Sequence, residues 1–203
     1  EEVLSDHPAL TPLVDAAIDA GGVLPAPGWQ NRLDAGSARN GGELFLAAVR
    51  TQVLARTAEA DALYDAECDL HPANPDLPGA ASALDAGLAA LEAPLRALHE
   101  RLTLLLEDPE AELEVGDRIR LDTARRNLDR RAVVPLAAWK AMLRRVQAPP
   151  PEPGTRPAWV DWLAITRRDG REVDAAMHRH HLDPTEPFAL AVAAPCPPCS
   201  SCW

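Results

Sequence analysis

The clearest hydrophobic pattern in the chain is a run of leucines spaced alternately by four and three residues. The run consists of Leu84, Leu88, Leu91, Leu95, Leu98, Leu102 and Leu105. This heptad-type spacing predicts one long helix with a single apolar seam. Pro94 lies within the run and is expected to kink the helix, because proline lacks the N–H of a helical hydrogen bond and its ring clashes one turn back.

A second seam with the same spacing follows the turn signal at Asp108, Pro109 and Glu110. It consists of Ala132, Leu136, Trp139, Leu143 and Val146, and Leu121 and Leu128 extend it backward. Pro135 is expected to interrupt this helix. Each helix alone would leave an apolar stripe in water, so the two are predicted to pack as an antiparallel hairpin. Periodicity fits an extended arm and a compact bundle equally well.

Two further helices are predicted before the first seam. A short helix begins at Pro8 and ends near Asp19, since two glycines follow it. Trp29 is expected to anchor the turn after it. A longer helix is predicted over residues 43–67. Its buried stripe is expected to consist of Leu46, Val49, Val53, Ala60 and Leu63.

Beyond a proline-rich linker at residues 148–157 the pattern changes from helical to alternating. Residues 159–167 and 171–181 flank a turn signal at Asp169 and Gly170, which predicts a β-hairpin. Its apolar face is expected to carry Leu163, Ile165, Val173, Ala175 and Met177. A lone hairpin is marginal in water, so we expect a larger sheet to begin here. A short helix is predicted over residues 188–193.

These elements predict a mainly α fold: an antiparallel helical hairpin or bundle, followed by a small β-hairpin region. The predicted divisions are a helical domain at 1–147, the linker at 148–157, the hairpin and short helix at 158–195, and a cysteine-rich tail at 196–203. No apolar run approaches the roughly 18 residues of a membrane span. The acidic start does not resemble a signal peptide. We therefore expect a cytoplasmic protein without membrane contact, and the missing initiator Met suggests a fragment.

Charge changes this picture in one segment. The net charge is −11, yet residues 118–145 carry nine basic and two acidic side chains. Basic side chains off the apolar seam could contact a phosphate backbone. The candidate DNA-binding residues are Arg118, Arg125, Arg126, Arg130, Arg131, Lys140, Arg144 and Arg145. The alternative is a solvated helix face paired with acidic residues of the preceding helix, around Glu92, Glu100 and Glu107.

The sequence contains no phosphate-binding G-x-x-x-x-G-K-[ST] loop, D-E-A-H box, G-x-S-x-G or H-E-x-x-H motif. We therefore predict no catalytic residues, cofactor site or metal site in this chain. His178 and His180 would share one strand face, as metal ligands could, but a solvated or interface strand end is the alternative. An iron–sulfur site would need a fourth thiolate from Cys68. The tail thiols are Cys196, Cys199 and Cys202.

Several short stretches, taken in their order along the chain, resemble the middle of DinG/XPD-like ATP-dependent DNA helicases. The first are residues 24–29 (LPAPGW), 91–95 (LEAPL) and 135–139 (PLAAW). More specific are residues 159–162 (WVDW), 169–172 (DGRE) and 178–188 (HRHHLDPTEPF). Together they place the resemblance over most of residues 8–195.

In that family a helical arch is inserted into the first motor domain, and the chain returns to the motor just before an S-A-T motif. The resemblance implies that residues 1–147 correspond to the arch. Residues 158–195 would correspond to the return, so the hairpin would belong to an incomplete α/β motor domain. Here the chain departs from the family pattern after Pro195, and we expect a truncated or frame-shifted end.

The implied function is that of a fragment of a 5′–3′ DNA helicase, in which the arch guides single-stranded DNA. The family's ATP-site residues have no counterpart here, so the chain alone is not expected to hydrolyse ATP. ATP and Mg²⁺ would be bound by missing motor segments of the same protein, and many members hold an iron–sulfur cluster upstream of the arch. A standalone helical protein-interaction module is the alternative function, and a small metal protein is the third.

Overall fold

The computed structural model describes residues 8–34, 36–57, 63–70, 75–111, 113–150, 152, 154–183 and 185. Most of this part of the chain is helical, and it includes a three-stranded antiparallel sheet in the order β1-β2-β3. The elements are α1 (Thr11–Ala20), α2 (Gly41–Arg56), β1 (Ala66–Asp69), α3 (Asp76–Glu107), α4 (Val115–Leu128), α5 (Val134–Gln147), β2 (Trp159–Arg168) and β3 (Arg171–His181). The predicted helix at 188–193 and the cysteine-rich tail lie outside the described residues.

The leucine run forms α3, as its spacing predicts. The helix continues through Pro94, and six of the seven leucines are buried, with Leu95 half-buried. Leu77 and Ala81 extend the buried stripe by one more turn toward the N-terminus. A stripe of this length needs partners along its whole side, and the neighbouring helices supply them.

The second seam is divided between α4 and α5, with a π-helical turn at Asp129–Val133 between them. In this wide turn the N–H of Val134 donates to the carbonyl of Asp129, five residues back. Pro135 then occupies the first turn of α5, where its missing N–H costs least. The interruption predicted at Pro135 is therefore confirmed, and it takes the form of a π turn between two helices.

The long helix predicted over residues 43–67 is wrong in its second half. Helix α2 ends at Arg56, and the Thr57 hydroxyl and N–H both donate to the carbonyl of Val53. Ala66–Asp69 forms strand β1, which pairs antiparallel with β2. Leu63, predicted to be buried, is 61% exposed. Ladder hydrogen bonds to β2 and burial of Ala66 override the helical propensity of this Ala-rich stretch.

The predicted hairpin is present as β2 and β3, with the turn at Asp169 and Gly170. Leu163, Ile165, Ala175 and Met177 are buried on one face, and Val173 is half-buried. Strand β1 pairs with the other side of β2, so the hairpin is part of a three-stranded sheet within the described residues. The pairing explains how this hairpin is stabilised beyond the limit of an isolated one.

Two hydrophobic clusters hold these elements together. The main cluster joins α2, the N-terminal half of α3, α5 and the inner face of the sheet, with Phe45, Leu143 and Ile165 among its fully buried members. The second cluster joins α1 to the C-terminal half of α3 and to Leu121 of α4. Because Leu163 and Ile165 belong to the main cluster, the sheet shares this core with α2, α3 and α5.

Two glycines let the segment 21–28 lie close to α2 and α3. A Cβ at Gly42 would lie 2.7 Å from Pro25 Cδ and 2.8 Å from the carbonyl oxygen of Val23. A Cβ at Gly87 would overlap Val23 Cγ2. Any side chain at these positions would therefore push the segment off the helices. Among the described residues, none of the helices combines the length and the apolar character that a membrane span requires.

Candidate nucleic-acid interface

Helix α4 and the π turn after it present five of the seven predicted DNA-binding arginines. Leu121 is its one buried residue within the described chain, and Val115 and Ile119 are exposed. A helix attached to the core by so narrow a stripe leaves most of its circumference in solvent. Arg118 and Arg126 lie on this exposed part, and Arg126 has 73% of its side chain exposed.

Asp122 partly neutralises the basic face of α4. It accepts from Arg125 Nη2 at 2.9 Å and from Arg126, three and four residues later. These two hydrogen bonds, the one from Arg125 first, lower the pKa of the Asp122 carboxyl. Exposed pairs within one helix contribute little to stability. The arginines therefore remain able to exchange this carboxylate for another anion.

Arg130 and Arg131 lie on the π turn that follows α4, and both are exposed. Neither makes a hydrogen bond or ion pair to any described residue. Arg144 on α5 is also exposed and unpaired within the same part of the chain. Arg118 donates to the backbone carbonyl of Leu106 and keeps its charge uncompensated. These four arginines are the ones best able to bind a phosphate.

Lys140 and Arg145 have a different environment, although they belong to the same basic segment. Lys140 Nζ lies 2.5 Å from Glu92 Oε2 of α3, and both side chains are mostly buried. Glu92 also accepts from Arg96. The hydrogen bonds from Lys140 and then Arg96 lower the pKa of Glu92. Lys140 therefore bridges α5 to α3. The sequence-based alternative to DNA binding, pairing with acidic residues of the preceding helix, predicts this contact to Glu92.

Arg145 bridges α5 to the sheet. Its Nε lies 3.9 Å from Asp161 Oδ2 of β2, and the Asp161 side chain is only 4% exposed. Arg179 of β3 holds the same carboxylate through Nε at 2.6 Å and Nη2 at 3.2 Å. The structure thus divides the eight predicted residues into solvent-facing arginines, locally paired ones, and two cations that connect elements of the fold.

A buried ion pair that sequence reasoning missed fixes the segment before α2. Glu43 is 1% exposed and accepts from Arg32 Nε at 3.0 Å, from the N–H of Arg39 at 2.9 Å and from the N–H of Ala26 at 3.3 Å. The hydrogen bond from Arg32 is the largest cause that lowers the pKa of Glu43 to about 2. Asn40 caps the same helix by accepting from the N–H of Glu43.

The two histidines considered as metal ligands lie on one face of β3, as the alternation predicts. Their ring neighbour is Trp162, which stacks on His178 at 5.0 Å and meets His180 edge-on at 5.2 Å. Trp162 also donates to Glu67 of β1. Among the described residues, no three His, Cys, Asp or Glu side chains are grouped as ligands of one metal ion. The tail thiols lie outside this part of the chain.

Comparison of the chain with known proteins gives no relative. No protein-family model, curated protein or solved structure matches it significantly.

Proposed function

We propose that this chain is part of a DinG-like, ATP-dependent 5′–3′ DNA helicase, in which its helical body acts as the arch that guides single-stranded DNA. The ATP site and Mg²⁺ would reside in motor segments outside this chain. The sheet would form part of the return to the first motor domain. The ordered stretches that resemble the family, from residues 24–29 to 178–188, support the proposal.

One structural observation carries the DNA-binding part of the proposal. Arg118, Arg126, Arg130 and Arg131 lie on one exposed helix and the turn after it. Folding leaves three of them without a carboxylate partner among the described residues, and the fourth shares Asp122 with Arg125. On a chain with a net charge of −11, such a basic segment is suited to a phosphate backbone.

Binding of a fluorescent oligothymidine to the purified chain tests this role. We expect affinity to fall with salt, since each phosphate contact to a single strand contributes about −0.7 to the slope of log K against log salt. Reversal of Arg126, Arg130 and Arg131 to Glu should reduce the affinity at least about tenfold and flatten the slope by about two.

A matched variant controls for total charge. Arg101, Arg168 and Arg171 are also exposed, and their reversal to Glu changes the net charge equally. That variant should bind within about threefold of the parent chain, because nonlocal electrostatics are screened beyond about 10 Å. Equal losses in both variants, or no salt-dependent binding by the parent chain, would refute a DNA-guiding role.

A specific observation also supports the second candidate, a helical protein-interaction module. Val115 and Ile119 lie one turn apart on α4, with 77% and 63% of their surface exposed. Two apolar side chains on one helix face are suited to a groove on a protein partner. Self-association of the chain that is lost in Val115→Asp/Ile119→Asp, without any affinity for oligothymidine, would favour this function over the first.

A further inference from the structure

One concave feature among the described residues is an apolar cavity of about 590 Å³ between α1, α3, α5 and the segment 21–29. Its wall includes seven leucine side chains, together with Trp29 and Trp139. This volume lies within the range of about 300–1,000 Å³ that is typical of small-molecule sites. A site of this kind binds the apolar body of a ligand and orients it through a few polar groups.

The walls of the cavity are fixed by the fold. Leu84, Leu88 and Leu91 of α3 are buried members of the main cluster, and Trp139 packs edge-on against Phe45. Pro25 and Gly42 line the cavity beside the Glu43–Arg32 pair, which holds Ala26 and Arg32 against α2. A cavity whose walls are held in this way is largely formed before a ligand arrives, which reduces the ordering cost of binding.

Among the described lining residues only Arg131 and Asp174 carry charge. Arg131 extends from the π turn and has no hydrogen-bond or ion-pair partner in the described part of the chain. A guanidinium next to an apolar wall is a preferred partner for a carboxylate or phosphate, because it offers planar, paired donors. Asp174 lies on β3, is exposed, and makes no ion pair with Arg131.

We propose that this cavity binds a small amphipathic anion, with the apolar body among the leucines and the two tryptophans and the anionic head on Arg131. A neutral apolar molecule would leave Arg131 unused, and an amphipathic cation would be repelled by Arg131 while Asp174 attracted it. Asp174 weakens the binding of an anion, because its carboxylate and the anionic head of the ligand repel each other. The site shares Arg131 with the proposed DNA contacts, but its apolar wall does not depend on DNA guiding and would exist in a standalone module as well.

Isothermal titration of the full chain with decanoate, decanol and decyltrimethylammonium tests the ligand class. We expect decanoate to bind about tenfold more tightly than decanol, and more tightly than the cation. Arg131→Met should weaken decanoate about tenfold and leave decanol within twofold. Asp174→Asn should tighten decanoate by about threefold.

Two matched controls separate the cavity from its surroundings. Arg144→Met removes another exposed arginine, which has no ion-pair partner among the described residues and does not line the cavity, so decanoate should bind as to the parent chain. Ala17 lines the cavity, and Ala17→Phe should abolish binding of decanoate and decanol alike. Ala16→Phe, on the exposed side of the same helix, should leave both unchanged.

Failure to bind decanoate would overturn the proposal, as would equal affinities for the anion and the alcohol. Decanoate binding that Arg131→Met leaves unchanged would also overturn it. Arg131→Met and Asp174→Asn leave the leucines and tryptophans of the cavity wall unchanged. Their results therefore stand even if Ala17→Phe fails to fold.

Discussion

Helices α4 and α5 both carry an excess of basic side chains, yet they use it in different ways. Helix α5 buries Leu136, Met142, Leu143 and Val146, while α4 buries Leu121 within the described chain. The deeper contact of α5 brings Lys140 and Arg145 to carboxylates of α3 and β2. Four of the predicted DNA-binding arginines on α4 and the π turn remain exposed to solvent: Arg118, Arg126, Arg130 and Arg131. Depth of packing, and not charge density, therefore separates the cations that join elements from those available to a ligand.

The largest expected effect comes from removing the packing that makes α5 different. Leu143 is fully buried in the main cluster, so Leu143→Ala should lower the free energy of unfolding by about 2–5 kcal/mol through lost burial and a new cavity. Ile119→Ala on α4 should change it by no more than about 0.5 kcal/mol. Urea unfolding followed by circular dichroism measures both. Similar losses in the two variants would mean that α4 packs as deeply as α5.

A smaller effect is expected from the cross-helix pair of Lys140. Both partners are mostly buried, so Lys140→Met should lower the free energy of unfolding by about 1 kcal/mol near neutral pH. Met keeps most of the apolar stem that Lys140 buries, which isolates the lost charge. A double-mutant cycle with Glu92→Gln measures the coupling, and additive effects of the two changes would show that the pair contributes nothing.

The same pair has a defined pH dependence. In the folded chain, the hydrogen bond from Lys140 and then the one from Arg96 lower the pKa of Glu92. The stabilisation is fully present above the ordinary glutamate pKa of about 4.3 and is lost as pH falls through and below that value. Lys140→Met should therefore reduce the loss of stability between about pH 5 and pH 3. If urea unfolding shows the same loss of stability at low pH in Lys140→Met as in the parent chain, the pair does not cause this pH dependence.

The smallest effect is expected at Asp122, whose partners are both on its own helix. Its pKa is also lowered, yet the pairs with Arg125 and Arg126 lie within one helix and are not buried. Asp122→Asn should leave the urea midpoint nearly unchanged at neutral pH and should raise the affinity for oligothymidine by freeing two arginines. Reduced affinity would show that Asp122 positions these arginines for the ligand.

Much of the fold follows from local patterns. The leucine spacing is enough to predict α3, and alternation around Asp169 and Gly170 predicts β2 and β3, because both periods are set by the backbone of a single element. Strand β1 could not be predicted in this way. Its four residues, A-E-C-D, have weak strand propensity, and they form a strand because β2 offers an edge nearly one hundred residues later in the chain.

The candidate interface shows the same contrast between local patterns and long-range contacts. The sequence identifies the basic segment, but it does not reveal which cations have partners, since Glu92 and Asp161 meet Lys140 and Arg145 only after the helices and sheet assemble. The Glu43–Arg32 pair was missed for a related reason. Its hydrogen bonds depend on an irregular segment folding back over the start of α2, and periodicity carries no signal for that.

The most direct test of this division compares two neutralised variants in oligothymidine binding and urea unfolding. Arg130→Gln/Arg131→Gln and Lys140→Gln/Arg145→Gln change the net charge equally. We predict that the first weakens DNA binding several-fold with stability unchanged within about 0.5 kcal/mol. The second should keep the affinity within about twofold and lower the free energy of unfolding by about 1–2 kcal/mol. The reverse pattern, or equal effects of both variants on binding, would contradict the account.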